Sequence, residues 1–128
     1  MEVYSPQVLD HFEHPRNSGL LDHPDASVQV ENPVCGDVLR LSAIIVDGRI
    51  SGIKFLSQGC VPAIACGSAV SELAKGKTIA QANALTRGEL MEMLGELPEA
   101  SSHAAALAMD ALSKLLKSLE STVTSGYA

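Results

Sequence analysis

The chain has little of what marks secreted or membrane-spanning proteins. It holds 3 cysteines among 128 residues, an odd and small number for a disulfide framework, so we expect a reducing cytoplasm. The first residues, MEVY, lack the basic and apolar regions of a signal peptide. No uninterrupted apolar run approaches the ~20 residues that span a bilayer. These absences favour a soluble globular protein in the cytoplasm.

Basic residues are also scarce. Nine lysines and arginines against 15 aspartates and glutamates give a formal net charge of -6, and no run of basic residues offsets it. Since nucleic acids and many membrane surfaces are polyanionic, we expect no nucleic-acid partner and no membrane partner. The length predicts one domain with one core. We place it at residues 1–121 and predict a disordered tail at 122–128, which has little to bury.

Helix and strand patterns indicate an α+β fold. A first helix is predicted after Ser5-Pro6, because a hydroxyl residue followed by proline is typical of a helix start. Asp47-Gly48 predicts a tight hairpin turn between two strands. The predicted strands are residues 28–31, 38–46 and 50–57, and the later helices are 61–75, 78–85, 86–94 and a long one from Ser101 or Ser102. They form a three-stranded antiparallel sheet packed by several helices, with the long C-terminal helix against the sheet. Three histidines without ligand spacing are predicted to be solvent-exposed: His11, His14 and His23.

A candidate ligand turn lies in residues 32–37, where Cys35 and Asp37 flank a glycine. The proline and the glycine of this segment tighten the backbone, so the two side chains can converge on a metal ion. The segment alone also fits a plain turn with an inward cysteine. A second Gly-Cys pair ends at Cys60, where a strand meets a helix. Because the hairpin strands are antiparallel, the ends carrying Cys35 and Cys60 should be neighbours, which favours a metal site.

Cys60 and Cys66 are predicted to lie on the same helix, but they differ in whether the helix lets them bind a metal. Cys60 is predicted at a helix N-terminus, where the dipole and free N–H groups favour the thiolate needed in a metal ligand or nucleophile. Cys66 lies ~9 Å further along the axis and ~240° around it. Both sulfurs could therefore reach one metal only if the first turn were unwound. We predict that Cys66 is a small buried core residue between Ala65 and Gly67.

Six short motifs are distributed from Tyr4 to about Leu116. They are Tyr4-Ser5, Asp10-His11, Pro15-Arg16-Asn17-Ser18-Gly19, Pro33-Val34-Cys35-Gly36-Asp37, Gly59-Cys60 and Lys75-Gly76-Lys77-Thr78. Together they resemble the NifU/IscU-type scaffold proteins on which iron-sulfur clusters are assembled. The resemblance implies an α+β fold with a three-stranded sheet. It also implies that the protein is a scaffold and not an enzyme. On such a scaffold, a [2Fe-2S] cluster is built from iron and from sulfur delivered by a cysteine desulfurase, and the cluster is then passed to acceptor apo-proteins.

The resemblance also implies a ligand set. Cys35 and Cys60 become metal ligands, and Asp37 becomes the carboxylate beside the metal. Thiolates suit iron-sulfur clusters and zinc alike, while a harder carboxylate keeps a cluster exchangeable. The family typically has a His-Cys pair at the start of the last helix, and this chain has His103-Ala104 there. His103 is the predicted fourth ligand, with an exposed helix-capping residue as the alternative.

Three functions remain compatible with these residues. The first is an iron-sulfur assembly scaffold that binds iron or a [2Fe-2S] cluster. The second is a structural or regulatory zinc protein using the same four groups. The third is a sulfur-binding or partner-binding module that has lost its metal. Chaperone binding is not predicted, because Leu97-Pro98-Glu99-Ala100-Ser101 departs from the family's chaperone-recognition segment Leu-Pro-Pro-Val-Lys.

Overall fold

The computed structural model describes residues 4–33, 36–95, 97–98 and 101–125, with side chains described through residue 121. Within these residues the chain forms an α+β fold, which confirms the predicted class. The elements in chain order are α1 (Pro6–Glu13), β1 (Ala26–Glu31), β2 (Val38–Val46), β3 (Arg49–Gln58), α2 (Val61–Ala74), α3 (Ile79–Asn83), α4 (Arg87–Leu94) and α5 (Ser102–Ser125).

The sheet is three-stranded and antiparallel, in the order β1-β2-β3. Asp47 and Gly48 both have positive φ, 53° and 76°, as expected for the tight turn between β2 and β3. Leu39 on β2 pairs with Val30 on β1 and with Ser57 on β3. This register puts the alternate apolar residues of all three strands on one face, which is buried.

Two helices, α2 and α5, pack against the buried face of the sheet. Helix α2 approaches closely at Gly67, because a Cβ there would lie 2.7 Å from Cδ2 of Phe55. The long helix α5 packs on β1 and β2 as predicted. The residues predicted for its apolar face are all buried: Ala104, Leu107, Ala108, Ala111, Leu112, Leu115 and Leu119.

The segment after α1 continues the sheet at its β3 edge. Gly19 N donates to Phe55 O and Phe55 N donates to Asn17 O, each at 2.9 Å. The predicted exposure of His11 is wrong, since this residue is only 5% exposed. Its Nδ1 lies 2.8 Å from the Ser68 hydroxyl of α2, a partner too distant in sequence to predict. His14 and His23 are exposed as expected.

The backbone of α5 continues to Ser125. Residues 122–125, which belong to the predicted tail, are therefore helical, and residues 126–128 lie outside the described residues. None of the helices in the described part of the chain is both long enough and apolar enough to cross a membrane.

Candidate metal centre

Three predicted ligands converge from three separate parts of the chain. Asp37 lies just before β2, Cys60 is the N-cap residue of α2, and His103 lies in the first turn of α5. Their ligand atoms all lie within 4.8 Å of one another. The Cys60 Sγ is 3.5 Å from Asp37 Oδ2, and His103 Nε2 is 3.6 Å from the same oxygen. A thiol, a carboxylate and an imidazole thus face one point, a donor set that suits zinc or iron.

The Asp37 carboxylate is held at the base of this site by its packing on Gly59. Asp37 is 4% exposed. A Cβ built on Gly59 would lie 2.3 Å from Asp37 Oδ1, so any larger residue would displace the carboxylate. The φ of Gly59 is +155°, a conformation that L side chains rarely adopt. Glycine is needed here both for the backbone conformation and for the space.

The turn before β2 is closed by main-chain hydrogen bonds. Asn32 N donates to Asp37 O, and Gly36 N donates to Asn32 O, each at 2.8 Å. Gly36 has a φ of +77°, which accounts for a glycine between the two predicted ligands. Cys35 lies outside the described residues. Its sequence position, two residues before Asp37, leaves it a predicted ligand.

Cys60 and His103 open the site to solvent. Cys60 is exposed, and the His103 side chain is 37% exposed. The Cys60 thiol donates to the Asp37 carboxylate. Partial burial of the thiol raises its pKa, and the Asp37 charge acts in the same direction, while the backbone N–H of Ala63 opposes both. The sequence predicts a favoured thiolate from the helix N-terminus alone, and in this arrangement desolvation and the carboxylate outweigh that effect.

A residue that sequence reasoning missed ties the start of α5 to α4. Arg87, the first residue of α4, donates from Nη2 to the main-chain oxygen of Ser102 at 3.2 Å. Ser102 directly precedes His103, so this contact positions the imidazole end of the site. Arg87 and Ser102 are 15 residues apart in the sequence, and no sequence motif indicates that they pair.

Cys66 lies in the core, as predicted. It is 1% exposed, and burial raises the pKa of its thiol to about 12. Such a thiol stays protonated near neutral pH and does not act as a ligand without rearrangement. Cys66 is not part of the potential metal-binding group found among the described residues.

Comparison with known families extends this geometry. The sequence model of the family described as the NifU-like N terminal domain matches residues 3–124 of this chain. The chain belongs to this family. The resemblance recognised from its short motifs is thereby confirmed, and the match covers every ligand predicted from the sequence.

Relatives within the NifU-like family share much of the sequence. The iron-sulfur cluster assembly scaffold protein IscU 1 of Archaeoglobus fulgidus is 45% identical over 114 residues, which cover 89% of this chain and 74% of that protein. The iron-sulfur cluster assembly scaffold protein IscU of Escherichia coli is 41% identical over 114 residues, which cover 86% of this chain and 88% of that protein. A crystal structure of a NifU-like N-terminal protein from Brucella abortus has a TM-score of 0.77 at 18% identity and covers 91% of this chain and 94% of that one. This last likeness concerns the fold.

In this NifU-like chain the position after His103 is Ala104, which is 1% exposed. An alanine has no donor atom, so α5 contributes His103 as its ligand to the described centre. The complete predicted set is then Cys35, Asp37, Cys60 and His103, of which the last three are brought together in the described residues.

Proposed function

We propose that the chain is an iron-sulfur cluster assembly scaffold, whose cargo is held by Cys35, Asp37, Cys60 and His103. The observation that carries the proposal is the convergence of ligand atoms from three separate segments within 4.8 Å. Curated relatives at 41–45% identity carry the name of iron-sulfur cluster assembly scaffold. We propose binding and transfer, with no catalysis of its own, in a reducing cytoplasm.

The donor set suits a cargo that must be bound and then released. Thiolates and imidazole bind iron and zinc well, whereas a carboxylate is a harder and weaker donor for iron in a sulfur environment. Mixed cysteine and histidine ligation of a [2Fe-2S] cluster is known chemistry. The exposure of Cys60 and His103 leaves a path for the cargo to enter and to leave.

We further propose that the cargo is a [2Fe-2S] cluster or its iron precursor. The sulfur would come from a cysteine desulfurase, and the finished cluster would pass to acceptor apo-proteins. Asp37, which is 4% exposed and packs on Gly59, supports an exchangeable cargo. A carboxylate fixed at the base of the site can hold the first iron before sulfide arrives and compete with thiolate as the cluster leaves.

Metal and sulfide analysis of the protein, purified without oxygen, tests the proposal. We expect iron and acid-labile sulfide in equal amounts, together with a visible charge-transfer spectrum. Zinc without sulfide or colour would instead favour a zinc protein built on the same ligands. A protein that retains none of these, even after it is supplied with iron and sulfide, would contradict the scaffold proposal.

A further inference from the structure

The fold gathers basic side chains that are scattered in the sequence onto one edge of the sheet. Arg49 and Lys54 belong to β3, and Lys75 and Lys77 lie in the loop between α2 and α3. Arg49 Nη1 donates to Gly76 O at 3.2 Å, which joins strand and loop. We call these four residues the basic edge. They are four of the nine lysines and arginines in the chain.

Main-chain contacts fix the members of the basic edge relative to one another. Ile50 N donates to Lys77 O at 2.8 Å, so Lys77 adjoins the start of β3. The Lys75 ammonium lies 3.5 Å from Asn17 Oδ1, and Asn17 O accepts from Phe55 N. This places Lys75 beside the segment that pairs with the middle of β3. The patch extends ~16 Å along the strand, from residue 49 to residue 54.

Among the described residues, no carboxylate forms an ion pair with a cation of the basic edge. In the part of the chain that the structure describes, none of the four lies within 4.0 Å of a carboxylate, whereas Arg16 pairs with Asp10 and Lys114 pairs with Asp110. Glu72, the acidic residue of α2, lies 3.9 Å from Arg16 Nε. Asp47 in the hairpin turn is exposed and lowers the local positive charge by one.

The basic edge is also distant from the candidate metal centre. Asp37 precedes β2 and Cys60 follows β3, so the ligands lie at one end of the hairpin and Arg49 at the other. Even Lys54, the member of the basic edge nearest to Cys60 along the strand, precedes it by six residues, which is ~20 Å of extended chain and beyond a Debye length of ~8 Å at physiological salt. The four cations therefore do not stabilise charge at the metal centre.

We infer that the basic edge is a docking surface for an acidic surface of a partner protein. An unneutralised row of cations on a chain with a net charge of -6 attracts a carboxylate-bearing patch locally and orients its approach. A nucleic acid fits less well, because it carries one phosphate per ~1.7 Å along a backbone much longer than the ~16 Å patch, and the chain as a whole carries a net charge of -6. The inference does not depend on which cargo the metal centre holds.

Binding of an acidic peptide tests the inference with a matched pair of variants. The probe is a fluorescein-labelled peptide of alternating glutamate and serine, followed by anisotropy at low and physiological salt. The variant K75E/K77E reverses two charges on the basic edge. The variant K114E/K117E reverses two exposed lysines on α5 and changes the net charge by the same amount. We expect on the order of tenfold weaker binding by the first and less than about twofold by the second.

Three results would overturn the inference: no binding by the wild type, equal losses in both variants, or tighter binding of single-stranded DNA or phosphatidylserine vesicles than of the peptide. Thermal melts check that each variant is folded. Should K75E/K77E not fold, the milder pair K75Q/K77Q and K114Q/K117Q makes the same comparison, and equal affinities in that pair would also contradict the docking surface.

Discussion

At the scale of single residues, Asp37 is the most constrained member of the candidate centre. It is 4% exposed, its carboxylate accepts the Cys60 thiol, and His103 lies 3.6 Å away. Both contacts involve the same carboxylate oxygen, Oδ2, which faces the other two ligand side chains. The carboxylate is therefore already oriented for a ligand, which reduces the reorganisation that binding requires.

The substitution Gly59→Ala tests whether this orientation matters. The new methyl group would lie 2.3 Å from Asp37 Oδ1, so the carboxylate must move. We expect the affinity for Zn²⁺, measured by competition with a chelator, to fall by roughly 10- to 100-fold, as it does when groups that orient metal ligands are changed.

Gly48→Ala is the matched control for Gly59→Ala. Gly48 also has a positive φ, +76°, but a Cβ there meets nothing within 4 Å and lies in the hairpin turn far from the ligands. The substitution Gly48→Ala should lower the stability by ~1 kcal/mol through the backbone conformation alone and leave the affinity for Zn²⁺ unchanged. Equal loss of affinity in both variants would show that general destabilisation, and not displacement of Asp37, is responsible.

At the scale of elements, the attachment of α1 to α2 depends on a buried polar contact. The Ser68 hydroxyl, on α2, lies 2.8 Å from His11 Nδ1 and accepts the main-chain N–H of Arg16 at 2.8 Å. The same side chain thus binds both α1 and the loop that follows it. A neutral imidazole can accept the Ser68 proton, whereas an imidazolium has no acceptor left.

The burial of His11 predicts a pH dependence of stability. Burial lowers the pKa of His11, the charge of Arg16 acts in the same direction, and Glu72 and Asp10 oppose them. The unfolded chain therefore binds a proton at His11 before the folded chain does. The stabilisation is complete above the unfolded pKa of ~6.5 and is lost as the pH falls towards the lower folded value.

The substitution His11→Gln removes this titration. In urea unfolding between pH 7.5 and pH 5, we expect the wild type to lose stability more steeply than the variant, by at most about 1.4 kcal/mol per pH unit. His14→Gln is the matched control, because it makes the same substitution at an exposed position of the same segment. Parallel curves for His11→Gln and the wild type would mean that His11 does not couple protonation to folding.

At the scale of the whole molecule, local patterns were sufficient to predict the elements. The signals that predict them are local in the sequence: alternating apolar residues in the strands, the Asp47-Gly48 turn and the apolar stripe of α5. Each of these features is found in the structure. The burial of His11 could not be predicted, because its partner is 57 residues away. The Arg87–Ser102 contact was missed for the same reason.

The candidate centre could be predicted in part from topology. An antiparallel hairpin brings the residue before β2 next to the residue after β3, which is why Asp37 and Cys60 meet. No local pattern brings His103 to them, and its role as a ligand is implied by the family resemblance alone. The raised pKa of Cys60 needed the structure, since it depends on how deeply the thiol and the Asp37 carboxylate are desolvated together.

Reconstitution by a cysteine desulfurase tests the central claim most directly. The protein is incubated without oxygen with desulfurase, cysteine and ferrous iron, and cluster formation is followed by visible circular dichroism. Two variants that each lose one thiol are compared, Cys60→Ala in the candidate centre and Cys66→Ala in the core. We predict cluster bands for the wild type and for Cys66→Ala, and none for Cys60→Ala. Bands of wild-type intensity in Cys60→Ala, or their loss in a folded Cys66→Ala, would contradict the account.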